Sequence, residues 1–276
     1  MAILTMNEVL ANEVQQYLAG SDTVLIKTIL DLTSRAKKGV SSVAIPRIAG
    51  LALKDVSTGD KQTAGGMTSA SDTLTFDQVK EVPEFITYKD DMDSALQLKA
   101  AFVNAAPRVF TEGIETILAT ELVKGAAGNA VAAKIDGSDI ITKIGEAKKK
   151  LDKQKCPKSD RFLAVNADGM ELLAKTSEFQ DGSKALSAEA LKLGVVSQVK
   201  GFFVVQSEDI PLSAGSKVQM VAYHRSHVAF GLHGEMRYID KEIEECGQFF
   251  LSLRAKYGSK VLDSGKRGAL ITLSEA

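Results

Sequence analysis

His224, His227 and His233 are the chain's three histidines, and they fall close together, the one grouping that could suggest a metal ion. A strand running from His227 to His233 would put those two on one face, because their separation is even, and would leave His224 outside it or on the opposite face. Two imidazoles with no carboxylate or cysteine at ligand spacing are a poor start for a closed zinc site, which takes four ligands. These histidines are therefore expected to be structural or surface groups, with no bound metal. Acyl-transfer chemistry lacks the Gly-x-Ser-x-Gly elbow that would expose a serine nucleophile. Gly65-Gly66-Met-Thr-Ser lacks the Gly-Lys-Ser/Thr ending and the strand-to-helix setting that aim backbone amides at a phosphate. Gly194 to Gly201 superficially matches a dinucleotide fingerprint, but a strand is expected after it where a helix is required. The residues thus predict no catalytic group, no cofactor and no enzyme.

Charge is clustered but balanced. Lys148, Lys149, Lys150, Lys153, Lys155 and Lys158 form a basic stretch, expected as a solvated helix face or as a local contact with DNA or an acidic subunit. Asp240, Glu242, Glu244 and Glu245 form an acidic counterpart, and opposed clusters in one chain suit head-to-tail contacts in a ring. Overall, 34 basic and 35 acidic residues give a net charge of -1. That is no footprint for a protein that binds nucleic acid by neutralising many phosphates, although one that merely encloses it needs no basic excess.

The 276 residues are enough for one large or two medium domains, with a composition of 45% hydrophobic and 25% charged residues. This is an ordinary globular balance. Cys156 and Cys246 lie far apart with no partner spacing, so free buried thiols and a reducing compartment are expected. The opening residues carry Glu8 and Glu13 and no basic region before the apolar stretch, unlike a signal peptide. No apolar run approaches the roughly 20 residues needed to span a bilayer. A soluble, cytoplasmically made chain without a membrane partner is expected.

Two short amphipathic helices are predicted within residues 6–18 and 25–32, from Met6, Val9, Leu10, Val14 and Leu18 and then Leu25, Ile29 and Leu32. Extended chain follows, with Val43-Ala-Ile-Pro46 and Ile48-Ala-Gly-Leu-Ala-Leu53 before a glycine-rich tip around Ser57 to Gly66. Leu74-Thr-Phe76-Asp-Gln-Val79 and Val82-Pro-Glu-Phe-Ile86 then resume strand character. An isolated ribbon of this kind is marginal in water, so it is expected to lie on another subunit. Residues 90–123 read as a long helix that Pro107 kinks or restarts, and some 34 residues would reach roughly 50 Å at the helical rise. A further helix is predicted from Ile140 to about Leu151.

Arg161-Phe-Leu-Ala-Val-Asn166 reads as a strand, followed by one amphipathic helix from Asp168, its N-cap, to Phe179. A loop at Gln180 to Ser183 and a small helix around Ala185 to Leu193 are expected next. Gly201-Phe-Phe-Val-Val-Gln-Ser207 reads as a buried strand closed by an Asp-Ile-Pro turn. Strands are predicted at 218–222, 227–231, 249–254, 257–262 and 269–273.

In this order, Val43-Ala-Ile-Pro46, the long helix from Asp90, Phe162-Leu-Ala-Val-Asn166 with its helix, Gly201 to Ser207 and Arg254-Ala-Lys-Tyr-Gly-Ser-Lys-Val261 resemble the major capsid proteins of tailed bacteriophages. The resemblance implies an α+β, HK97-like capsid fold with an N-terminal arm (1–40), an extended β-hairpin loop (41–89), a peripheral domain with the spine helix (90–136 and 226–276) and an axial domain (137–225). It implies a major capsid protein that self-assembles into hexamers and pentamers of an icosahedral shell enclosing double-stranded DNA, held non-specifically. A portal, a separate scaffolding protein, residence in the virion and assembly in the host cytoplasm follow from the same resemblance. Assembly contacts are expected at Lys54, Lys61, Gly65 and Gly66 in the ribbon and at Phe76 and Asp77 where it returns. The rival readings are an encapsulin-like nanocompartment shell and a soluble α+β enzyme with a site scattered over loops.

Overall fold

The structure is a computed structural model that describes residues 23–36, 39–49, 68–93, 98–134, 140–184, 193–244 and 247–274. From the N-terminal side come a single helical turn α1 (Leu25–Thr28), the short strand β1 (Leu30–Asp31), and strands β2 (Ser42–Ala49), β3 (Thr68–Thr75) and β4 (Gln78–Thr87). Helices α2 (Tyr88–Asp93) and α3 (Leu98–Ala126) follow, then β5 (Val131–Lys134), α4 (Ile140–Lys153), β6 (Arg161–Val165), α5 (Ala167–Ala174) and α6 (Ser177–Lys184). Six more strands follow: β7 (Val195–Val199), β8 (Phe202–Gln206), β9 (Ser216–His224), β10 (Val228–Ile243), β11 (Gln248–Val261) and β12 (Gly268–Ser274).

The strands form three sheets: β5-β12-β9-β6-β8-β7, β1-β10-β11-β4, and the two-stranded ribbon β2-β3. In the six-stranded sheet every residue of β6 is buried. Phe162 and Ala164 face the core built on α3, while Leu163 and Val165 face Ile144, Ala147 and Leu151 of α4. A strand covered on both faces needs no polar alternation, which is why Phe162 to Val165 are continuously apolar. β12 joins this sheet between β5 and β9, so the last strand sits with the residues around 140–224 and not with its sequence neighbours β10 and β11.

Helix α3 is the hub between the two large sheets. Its Phe110, Ile114, Leu118 and Leu122 pack in one cluster with Phe162, Val205 and Val221 of one sheet and Phe230, Leu253 and Tyr257 of the other. Of the two expected effects of Pro107, a kink or a restart, the helix shows no restart and continues through the proline, and Thr111 Oγ1 donates to the Pro107 carbonyl at 2.8 Å. Proline removes one helical donor, but the ring is buried against the core, and burial offsets that loss.

Several local expectations are corrected. Residues 25–32 hold only one helical turn, because Leu30 and Asp31 leave to pair in parallel with Ala229 and Phe230 of β10. The strand expected at 82–86 does not extend the ribbon; β4 pairs with β11. The strands at 249–254 and 257–262 are the single strand β11. Asn166, and not Asp168, caps α5, its side chain accepting from the Gly169 amide at 3.2 Å. That helix ends at Ala174, and α6 occupies the expected loop at 180–183. The helix at 6–18, the ribbon tip, most of the helix at 185–193 and Cys246 lie outside the described residues. Cys156 is a free, buried thiol.

Asn166 also donates to the Lys217 carbonyl at 3.0 Å, so one amide ties α5 to β9. Asn166→Ala is expected to remove the cap and strand that carbonyl, costing about 2 kcal/mol. Thermal or denaturant unfolding of the purified chain would measure it.

Candidate functional site

The surfaces of interest are those that hold and present the chain's extended segments. The ribbon is rooted on the chain's own body. Leu74 and Phe76 pack with Leu32, Ala36, Ala229 and Leu262. Gly231 and Gly258 are direct partners across β10 and β11. A Cβ on Gly231 would stand 2.7 Å from the Phe76 ring, and one on Gly258 would stand 2.2 Å from the Thr75 carbonyl oxygen. Two facing glycines thus make a dent in the sheet into which the end of β3 sinks. Arg47 on β2 fixes the other side: it pairs with Asp263 and donates to Asp72 at 3.2 Å, while Asp72 accepts from the Asp263 amide at 3.1 Å.

The arm segment 23–36 is laced to all three supports. Glu115 of α3 is 5% exposed and accepts from the amides of Leu25 at 3.0 Å and Ile26 at 3.2 Å. Thr28 Oγ1 donates to the Leu25 carbonyl and shares a 2.5 Å hydrogen bond with the hydroxyl of Tyr223 on β9. Leu32 donates to the Phe230 carbonyl at 2.7 Å, extending the β1–β10 pairing. Burial pushes the Glu115 carboxyl up to about 7, against the pull of the two amides and of Lys27 and with the push of Asp209. Burial likewise drives the Tyr223 phenol well above its ordinary value.

β4 forms one edge of the four-stranded sheet, with Phe85 56% and Val79 54% exposed. Phe85 leans on Phe250, and beside it Ile86, Leu98, Ala101 and Phe102 line a groove of about 370 Å³ between β4 and α3. Of the expected assembly residues, Lys54, Lys61, Gly65 and Gly66 lie outside the described residues. Phe76 is 1% exposed and meets His233 edge-on, so its ring is spent on this subunit's own core, whereas Asp77 is exposed.

The basic stretch on α4 is not a uniform free face, since Lys148 donates to the Lys200 carbonyl at 2.8 Å and Lys150 to the Ala130 carbonyl at 2.6 Å. In the acidic cluster, Asp240 pairs with Lys99 at 3.7 Å and Glu242 accepts from the Tyr88 hydroxyl. Among the described residues no three His, Cys, Asp or Glu side chains are grouped to hold a metal ion. No helix among them is long and apolar enough to cross a membrane. His224 bonds to Ser226 at 2.7 Å.

His227 is fully buried, wedged where Gly125 of α3 and Gly268 of β12 leave room for its ring, with Nε2 3.4 Å from the Leu122 carbonyl. Burial lowers its pKa to about 4. A histidine held neutral contributes stability above its unfolded value near 6.5 that is lost as pH falls toward 4, by roughly 3 kcal/mol in all. A pH titration of unfolding for His227→Gln against the parent should remove that acid slope.

The sequence could have flagged Glu115, an acid within the apolar stripe of Phe110, Ile114, Leu118 and Leu122. Its partners are backbone amides 89 and 90 residues away, and backbone donors carry no sequence signal. The facing glycines were equally hidden, because strand register is invisible until the sheet is known.

An arm, a ribbon and a spine helix bearing two sheets define the HK97-like capsid fold, which this chain has. A structure from Mycobacterium phage Che8 matches with a TM-score of 0.71 and 21% identity, over 91% of this chain and 90% of that one. The capsid structure of the cyanophage P-SCSP1u matches with a TM-score of 0.68 and 16% identity, over 90% and 86% of the two chains. The mature capsid of bacteriophage PhiM1 matches with a TM-score of 0.68 and 14% identity, over 91% and 87%. No family model matches the sequence, and no curated protein matches it.

Proposed function

We propose that this chain is the major coat subunit of a tailed phage, assembling with itself as hexamers and pentamers of an icosahedral shell around double-stranded DNA. The observation that carries the reading is the likeness to phage capsid structures over about nine-tenths of both chains. Physically, an extended ribbon and arm add interface area without enlarging the compact body, and exposed apolar side chains such as Phe85 and Val79 suit an edge that a neighbour covers. The role is structural and not catalytic. The division into arm, extended loop, peripheral and axial parts belongs to the same proposal, with β12 contributed to the axial sheet. A portal, a separate scaffolding protein and residence in the virion complete it.

Size-exclusion chromatography and negative-stain microscopy of the expressed chain test the reading. Closed shells or ring-shaped capsomers are expected. A small oligomer that never assembles, with or without a scaffolding protein supplied, would overturn it.

A further inference from the structure

The basic stretch of α4 and the C-terminal end of α3 meet at one surface. Lys150 reaches the Asn129 carbonyl, and Gln154 donates to the Asn129 side-chain oxygen at 2.8 Å. Asn129 in turn donates to the Gly268 carbonyl at 2.8 Å. These bonds gather the end of α4, the end of α3 and the turn before β12 around an open cavity of about 360 Å³, with Lys124, Gln154, Ser264 and Lys266 on its wall. Asp263 and Ser264 hold left-handed backbone, each at φ 51°, a conformation that side chains rarely adopt. Clamped by Asn129, this turn presents Ser264 and Lys266 to solvent.

The balance of charge sets the surface apart. Acids on the same elements are matched within the chain: Glu121 with Lys124, Glu146 with Lys143, Asp152 with Arg161 and Asp263 with Arg47. Lys149, Lys150, Lys153 and Lys266 have no acidic partner among the described residues. Lys150 bonds only to carbonyls, which leaves its charge uncancelled. The carbonyl ends of α3 and α4 answer roughly half a charge each. A positive surplus therefore remains, on a chain whose net charge is -1. Lysines suit a row of well-hydrated anions, whereas arginine is the residue that grips a planar carboxylate as a fork. The chain's acidic cluster is partly engaged already, Asp240 with Lys99 and Glu242 with Tyr88, which disfavours the same cluster of a second copy as the occupant.

We propose that this surface binds the phosphate backbone of double-stranded DNA, with Lys149, Lys153 and Lys266 meeting phosphates and Gln154 and Ser264 supplying neutral donors at the cavity. The identity of the polymer rests on the coat reading; what is added is the place where the enclosed duplex is touched. Such contacts reach the backbone and not the base edges, so they carry no sequence preference.

Fluorescence anisotropy of a short labelled duplex, titrated with the free full-length chain recovered from size-exclusion chromatography, measures the contact. Neutralising about three phosphates makes the affinity fall roughly fortyfold between 50 and 200 mM salt. Lys149→Gln, Lys153→Gln and Lys266→Gln should each weaken binding on every sequence and reduce the salt slope by about 0.9. Lys266→Arg should keep the parent's slope. Arg237→Gln and Lys241→Gln, at exposed positions on β10, should leave binding unchanged. No binding at 50 mM salt, or a slope indifferent to the three lysine variants, would overturn the proposal. Polyglutamate competing as well as unlabelled duplex would also overturn it, by giving the surface to an acidic protein segment. Microscopy of the same preparations separates the two readings: shells from a chain that binds no duplex sink this inference and spare the coat role, and duplex binding by a chain that never assembles does the reverse.

Discussion

Gly258→Val is expected to tear the ribbon from its root. The added Cβ would lie 2.2 Å from the Thr75 carbonyl oxygen and 3.0 Å from its carbon, and backbone atoms cannot swing aside as a side-chain tip can. Either β3 lifts off β11 or the sheet buckles beneath it, and Phe76 then leaves its place over Gly231. Overpacking alone costs 1 to 3 kcal/mol, and partial loss of the Leu74 and Phe76 burial brings the expected total to about 4 kcal/mol. The control is Gly113→Ala, a helical glycine with open space around it, which should stabilise by about 0.5–1 kcal/mol. Denaturant unfolding of both variants decides the matter. A Gly258 variant as stable as its parent would mean that β3 does not rest in the dent.

Deleting residues 57–66 should have the reverse profile. The cut spares β2 and β3 and the described contacts of the root, and shortening the connection between two strands changes stability by only a few tenths of a kcal/mol. The subunit should fold with an unchanged unfolding midpoint yet form no closed shells under the microscope, because the missing tip is where the ribbon is proposed to cover a neighbour. Normal particles from the deletion would leave the ribbon without that role. A misfolded deletion would place the tip's importance in the subunit itself. The two variants therefore separate the ribbon's root, a matter of folding, from its end, a matter of assembly.

Elements whose burial pattern is local were legible in the sequence. The stripe on α4, the two-sided burial of β6 and the apolar run of β8 each follow from neighbours close in the chain. Misreadings arose where a local signal had two solutions. The apolar spacing of Met170, Leu173 and Phe179 continues across the break at Lys175, because α5 and α6 bury against the same core, so the period alone predicts one helix. Asp168 and Asn166 are both good caps, and the choice fell to the Lys217 carbonyl on β9, which only asparagine can bond by donating. The candidate site was the least legible part. Its determinants are approaches to the backbone of distant residues: the Glu115 carboxyl to the amides of α1, and the Gly258 backbone to the Thr75 carbonyl.

The position of β12 sets a timetable for the chain. Among the described residues β5 has a single sheet partner, and Val131 finds it only when Ile271 has been made. At roughly 5–20 residues per second of synthesis, β5 and the open flank of β9 wait on the order of ten seconds with their apolar faces uncovered. A nascent chain thus lacks the strand that joins β5 to β9 until Gly268–Ser274 has been made. Chains in which β12 is still unmade are on this account unable to offer a finished sheet to one another, and under the proposed coat role the order of synthesis itself delays association until that strand is in place.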